Sequence, residues 1–223
     1  MKSVAIIAAG ESLPSDELLR EKLAEVDTIL SADGGLDVLV RLGIKADLLV
    51  GDFDSSRFSF SDPLLQTYVH EKKVLRFPVR KDATDTELAL SYCAEHGAAY
   101  VLLFGGAGSR LDHTMVNLAM MKRFAEDGMC IVQYMQHNIV RYLVPGNYCL
   151  PKLTPEWYTS FMLFSGEVKL TLRGFDYPLE RATLTAGSSL GISNHVFSVD
   201  NEVQIESEKG CGVFCIQSCD AKK

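Results

Sequence analysis

A chain of 223 residues is long enough for one large domain or two small ones. Its 47% hydrophobic and 23% charged residues are those of a cored globular protein and exclude a disordered one. A formal net charge of -7, with no run of Lys and Arg to follow a phosphate backbone, argues against nucleic acid as a partner. The N-terminal stretch has one basic residue, Lys2, and a brief apolar run that soon meets Glu11 and Asp16, unlike a secretory signal. No stretch approaches a membrane span, so retention in the cytoplasm is expected.

Residues 4–9, 29–32, 48–50, 74–77, 100–104 and 130–134 are short apolar runs that read as buried strands. Residues 16–26, 36–42, 85–96 and 113–126 read as helices between them, and Gly43, Gly97 and Gly128 stand where a left-handed C-cap is easiest. This alternation predicts an α/β fold, a mostly parallel sheet with flanking helices in a Rossmann-like arrangement. Beyond Val144 the pattern changes to strands alone, at 167–172, 181–185, 195–199, 202–206 and 213–217, punctuated by Gly166, Gly174, Gly187 and Gly210. Val168, Leu170 and Leu172 alternate as in half-buried antiparallel strands, which predicts a small β-sandwich. The turn cluster Pro145-Gly146-Asn147 marks the boundary, giving an N-terminal domain of residues 1–144 and a C-terminal one of 145–223.

Six cysteines, Cys93, Cys130, Cys149, Cys211, Cys215 and Cys219, are too sparse for a disulfide scaffold and are expected to be reduced and mostly buried. The last three recur every fourth residue, but without a Cys-x-x-Cys pair or a nearby His they read as core rather than metal ligands.

The acids gather where strands end and helices begin, the place at which open α/β sheets bind ligands. In Gly51-Asp52-Phe53-Asp54-Ser55 a buried strand runs into an acidic turn, and residues two apart in an extended segment point the same way. Carboxylates about 5 Å apart repel by about 3 kcal/mol at an effective dielectric of about 20, so the pair calls for a proton or a counter-charge such as Mg²⁺. An Asx turn with solvated carboxylates fits the same residues. In Lys81-Asp82-Ala83-Thr84-Asp85-Thr86-Glu87, Thr84 and Glu87 have capping-box spacing. Lys81, Asp82 and Asp85 add groups suited to phosphate and metal. Gly105-Gly106-Ala107-Gly108-Ser109-Arg110-Leu111-Asp112-His113 is a glycine-rich bend that opens a helix without the Lys of a Walker A loop. Here Arg110 can grip a phosphate, while Asp112 can equally be an N-cap and His113 a structural histidine. Together, Asp52, Asp54, Asp82, Asp85 and Asp112 beside Lys81 and Arg110 fit a metal-bridged polyphosphate.

Asp33-Gly34-Gly35, the two acidic segments and Gly108-Ser109-Arg110-Leu111-Asp112-His113 with Asn117 resemble the thiamine pyrophosphokinase family. A further piece falls in the strand-only half, Gly174-Phe175-Asp176-Tyr177 followed by Gly191-Ile192-Ser193-Asn194. The resemblance implies transfer of pyrophosphate from ATP to the thiamine hydroxyl, leaving AMP. It also implies an ATP-binding α/β domain, a thiamine-binding sandwich and a homodimer. By position it makes Asp52, Asp54, Asp82 and Asp112 Mg²⁺ ligands or their neighbours, with Asp85 close by. Lys81, Thr84, Arg110, His113, Asn117, Asp33, Gly34 and Gly35 become nucleotide contacts, and Ser193 and Asn194 thiamine contacts. His195 stands where the family usually has Glu. Thiamine's fixed positive charge suits an acidic site. Other readings of the same site are a pyrophosphokinase for another alcohol such as a pterin, a Mg²⁺-dependent nucleotide hydrolase, and a non-catalytic nucleotide sensor.

Overall fold

The computed structural model describes residues 2–77 and 82–221. It divides into two compact units, Met1–Gln136 and His137–Lys223.

In the first unit, β1 (Ser3–Ala8), β2 (Thr28–Ala32), β3 (Leu48–Gly51), β4 (Val74–Arg76), β5 (Tyr100–Phe104) and β6 (Cys130–Tyr134) pair in the order β4-β3-β2-β1-β5-β6, all parallel. Val4, Ala5, Ile6 and Ile7 at its centre have no exposed surface, as expected of a strand covered on both faces. Chain order reverses between β1 and β5, which opens a crevice beyond the carboxyl ends of those two strands.

The helices are α1 (Asp16–Ala24), α2 (Gly35–Leu42), α3 (Pro63–His70), α4 (Asp85–Glu95) and α5 (Leu111–Glu126). Ser15 caps α1 by accepting from Leu18 N at 3.3 Å, and Gly43 ends α2 in the left-handed region. Thr84 caps α4 through Glu87 N at 3.2 Å, so the expected capping-box residue does cap. Helix α3 escapes the sequence pattern because only Leu65 and Tyr68 of its eight residues are buried, although Pro63 in its first turn is a starting signal. Helix α5 begins two residues earlier than its periodicity predicts. Arg110 takes the N-cap position without a side-chain bond, which leaves Asp112 in the first turn rather than at the cap.

The second unit is a β-sandwich. One layer holds β13 (Val213–Cys219) between β7 (Asn138–Leu143) and β9 (Trp157–Met162); the other has the order β11-β10-β12-β8, formed by Leu179–Thr185, Glu167–Arg173, Glu202–Glu206 and Gly146–Tyr148. All these pairings are antiparallel. Val168, Leu170 and Leu172 of β10 pack into a core with Phe161, Phe175, Leu184, Val203, Ile205 and Val213. The segment Pro145-Gly146-Asn147 lies inside this unit, with Pro145 between β7 and β8 and Gly146 and Asn147 opening β8. The segment expected as a strand at 195–199 contributes only one bridge, Val196 with Phe175. Ser193 is left-handed at φ 58°, and the Asn194 amide ties the backbone into a turn.

Of the six cysteines only Cys93 and Cys215 are fully buried; Cys130 and Cys149 are exposed. Burial pushes the thiols of Cys93 and Cys215 up to about 12, so both stay protonated at neutral and mildly alkaline pH. In a thiol-labelling experiment at mildly alkaline pH, Cys130 and Cys149 of the native protein should react, and Cys93 and Cys215 only after denaturation.

Candidate active site

An open cleft of about 530 Å³ lies at the carboxyl ends of the parallel strands and is lined entirely by the first unit. Its walls come from the ends of β1, β2, β3 and β5 and from the starts of α4 and α5.

Two loops flank the crevice. Gly106 N donates to Ala9 O at 2.9 Å and Ser12 N to Ala107 O at 3.3 Å, so the loops after β1 and β5 are stitched together. Gly105, at φ 78°, sits so close that a Cβ would lie 2.3 Å from Ala8 O, and only glycine fits. Ala107, Gly108 and Ser109 line the cleft, and among the described residues their N–H groups donate to no protein acceptor. Unpaired amides just ahead of a helix form a ready anion site.

The opposite wall is acidic. Asp33, Asp52 and Asp54 each present a carboxylate oxygen within 4.8 Å of the others. Asp33 is 6% exposed and left-handed at φ 47°, and its Oδ1 is buried with no hydrogen-bond partner among the described residues. The convergence of Asp52 and Asp54 has a different cause from strand alternation. Phe53 between them is left-handed at φ 64°, an uncommon state for a bulky residue, and Asp54 N donates back to Asp52 Oδ1 at 3.2 Å. Phe53 is buried and packs edge-on against Phe60 at 5.5 Å, which holds the turn in that conformation. At Gly51, a Cβ would lie 2.8 Å from Asp85 Oδ1 and 3.4 Å from the Asp33 α-carbon, so the missing side chain is what lets three acidic segments meet.

Of the other residues singled out in the sequence, Thr84, Asp85, Arg110, His113 and Asn117 line the cleft with Asp33, Asp52 and Asp54. Asn117 is buried and its Nδ2 donates to Gly106 O at 2.5 Å. Gly34 and Gly35 start α2 beneath the site, Gly35 pressed against Ile7 O. Asp82 is exposed and does not line the cleft, and Lys81 lies outside the described residues. Asp112 also stands apart from the cluster: its two oxygens meet Arg110 Nη2 at 2.5 Å and Nε at 3.2 Å. The sequence reading missed Glu11, whose carboxylate accepts from Ser109 Oγ at 3.4 Å, and the place of Asp33 among the clustered acids. Asp33 carries the same signal as Asp52, an acid directly after a buried strand.

In the second unit, Asn194 is 4% exposed and its amide makes three hydrogen bonds. Oδ1 accepts from Tyr177 N and His195 N, both at 2.9 Å, and Nδ2 donates to Tyr177 O at 2.7 Å. Ser193 is exposed, its N–H donating to Ser160 Oγ at 3.0 Å. His195 lies 3.3 Å from Asp176 and 4.7 Å, ring to ring, from Tyr158.

Three clustered carboxylates with a buried orphan oxygen suit a hard divalent cation, and the facing amides suit phosphate. Fold and site thus define an α/β enzyme with its ligand cleft at the switch point of a parallel sheet. Comparison with known proteins makes this specific. The family description "Thiamin pyrophosphokinase, catalytic domain" matches residues 19–133, and "Thiamin pyrophosphokinase, vitamin B1 binding domain" matches residues 147–212. A thiamine pyrophosphokinase of Bacillus subtilis is 32% identical over 204 residues, covering 88% of this chain and 90% of that protein. The crystal structure of the thiamine pyrophosphokinase from Bacillus subtilis matches with a TM-score of 0.82 at 27% identity, over 99% of this chain and 100% of that one. That from Geobacillus thermodenitrificans matches with a TM-score of 0.81 at 26% identity, over 99% of each. The chain belongs to the thiamine pyrophosphokinase family and is a diphosphotransferase of that family.

The ion pair at the helix start has a measurable signature. The Arg110 guanidinium, hydrogen-bonded to Asp112, holds that carboxyl down at about 2, so the pair persists as pH falls and is lost only near that value. In Arg110→Ala, NMR titration should find the Asp112 carboxyl moved up toward its ordinary value of 3.8.

Proposed function

We propose that this enzyme transfers the pyrophosphoryl group of ATP to the hydroxyl of thiamine, giving thiamine diphosphate and AMP. The observation that carries this reading is the carboxylate cluster of Asp33, Asp52 and Asp54, with its buried unpartnered oxygen, across a cleft from the open amides of the glycine turn. In the reaction the thiamine oxygen bonds to the β-phosphorus, the bond from that phosphorus to the α,β-bridging oxygen breaks, and AMP departs.

Asp33, Asp52 and Asp54 are the residues that would hold Mg²⁺, on the chemistry of the donor set and the orphan Asp33 oxygen. Mg²⁺ bound there supplies neutralisation of the polyphosphate charge as it shifts toward the leaving group. The amides of Ala107, Gly108 and Ser109, with Arg110 and His113, receive phosphate oxygens on the facing wall. Asp112 acts through Arg110, fixing the guanidinium at the cleft mouth. Asp82, the other acid expected to serve the metal, stays at the exposed start of the α4 segment. Of the two candidates for accepting the hydroxyl proton, Asp82 and Asp85, this reading takes Asp85, because it lines the cleft beside Gly51 and Asp82 does not. Lys81 remains a nucleotide contact by family resemblance alone.

Ser193 and Asn194 are the thiamine-side residues of this reading, with Asn194 shaping the loop and Ser193 exposed to a ligand. The active form is a homodimer in which the sandwich of one protomer serves the α/β unit of its partner. Exposed Tyr177, Leu190, Ile192, Phe197 and Val199 on the sandwich support a surface covered by another chain. No helix among the described residues is long and apolar enough to cross a membrane, in keeping with a cytoplasmic enzyme.

The test is to measure AMP and thiamine diphosphate formed from ATP, Mg²⁺ and thiamine. Equal yields are expected, with kcat/KM falling by on the order of 10²-fold or more in Asp33→Asn and Asp52→Asn. Mg²⁺ should raise the melting temperature of the wild type, and both variants should lose that response. AMP without thiamine diphosphate would point to another acceptor or to hydrolysis, and ATP binding without AMP to a sensor.

A further inference from the structure

Strand β6, Cys130-Ile131-Val132-Gln133-Tyr134, carries one polar side chain in an apolar run, and Gln133 has no exposed surface at all. A buried amide is costly unless it is used, and half of this one is not: Oε1 has no hydrogen-bond partner among the described residues. Its other end is engaged, because Nε2 donates to Gly105 O at 2.9 Å.

That single bond fixes one peptide plane of the glycine turn. In a trans peptide the C=O and N–H point in opposite directions. The Gly105–Gly106 plane is therefore held at both ends, its carbonyl by Gln133 and its N–H by Ala9 O at 2.9 Å. The next plane follows the same rule. Asn117 takes the Gly106 carbonyl, so the Ala107 N–H is turned away from Asn117, and Ala107 itself lines the cleft. Gly105 and Gly106 are both left-handed, at φ 78° and 68°, a conformation with wide freedom in glycine and no side chain of its own to hold it.

We propose that Gln133 is a positioning residue for the nucleotide phosphates. It never meets substrate, and acts by locking the Gly105–Gly106 peptide so that the following amides stay aimed into the cleft. The inference rests on the cleft being the ATP site, and it assigns Gln133 to ATP alone, not to the acceptor.

The near-isosteric Gln133→Met removes the donor and also the unpartnered acceptor. Its melting temperature should therefore stay close to that of the wild type. Losing one aimed phosphate contact should raise both the ATP KM and the equilibrium Kd for Mg-ATP by about tenfold, with the thiamine KM unchanged. Gln133→Leu should do the same and serves if the first variant folds poorly. Wild-type affinity for ATP in either folded variant would overturn the proposal, as would a lowered melting temperature with unchanged ATP affinity, the mark of a merely structural glutamine. The Kd arm needs no turnover. A wild type that binds ATP but makes no thiamine diphosphate would sink the proposed reaction while leaving the role of Gln133 to be read from binding.

Discussion

Like charges held together must be held by something stronger than their repulsion. Asp33, Asp52 and Asp54 keep carboxylate oxygens within 4.8 Å of one another, and the surrounding fold resists their separation. The loops that carry them leave adjacent parallel strands, β2 and β3, whose spacing is fixed by ladder hydrogen bonds. Gly51 lets Asp85 and Asp33 approach, and the buried Phe53 anchors the turn from below. Backbone strain at Asp33 and Phe53 is concentrated where the charge is concentrated, as happens when a site is assembled before its ligand arrives.

The phosphate-facing wall solves the opposite problem with little charge. Stitching to the β1 loop, the left-handed pair Gly105–Gly106 and the buried amides of Asn117 and Gln133 leave a short run of N–H groups without acceptors among the described residues. Such dipoles are already oriented, so they lose little in reorganisation when negative charge appears beside them. Arg110 adds a full charge at the rim, where Asp112 limits how far it wanders.

The parallel unit was legible in the sequence because buried parallel strands are nearly continuous apolar runs; the six predicted agree with those found to within a residue or two. Helix α3 was not, since two buried residues in eight make no period. In the sandwich, β9 hides a buried polar residue, Thr159, on its inward face, and β8 is three residues long, so neither shows clean alternation. Residues 195–199 hold three apolar side chains in five and read as a strand, yet the Asn194 amide bonds to Tyr177 and His195 and turns the chain away. At the site, acids singled out in the sequence do come together, but not through strand alternation. Asp52 and Asp54 converge through a left-handed Phe53, which no periodicity announces. Which acids cluster depended on how tightly glycines let neighbouring loops pack, a property of distance rather than of pattern.

The two backbone bonds between the loop after β1 and the loop after β5 have a consequence for how the protein can vary. Ala9 and Ser12 are matched to Gly106 and Ala107 in fixed register, so inserting or deleting one residue in either loop would put every later partner out of step. Lineages of this enzyme should therefore keep both loops constant in length, even where their sequences drift. Length changes should instead collect in connections with no such mate, such as the exposed turn around Glu208 and Lys209 between β12 and β13.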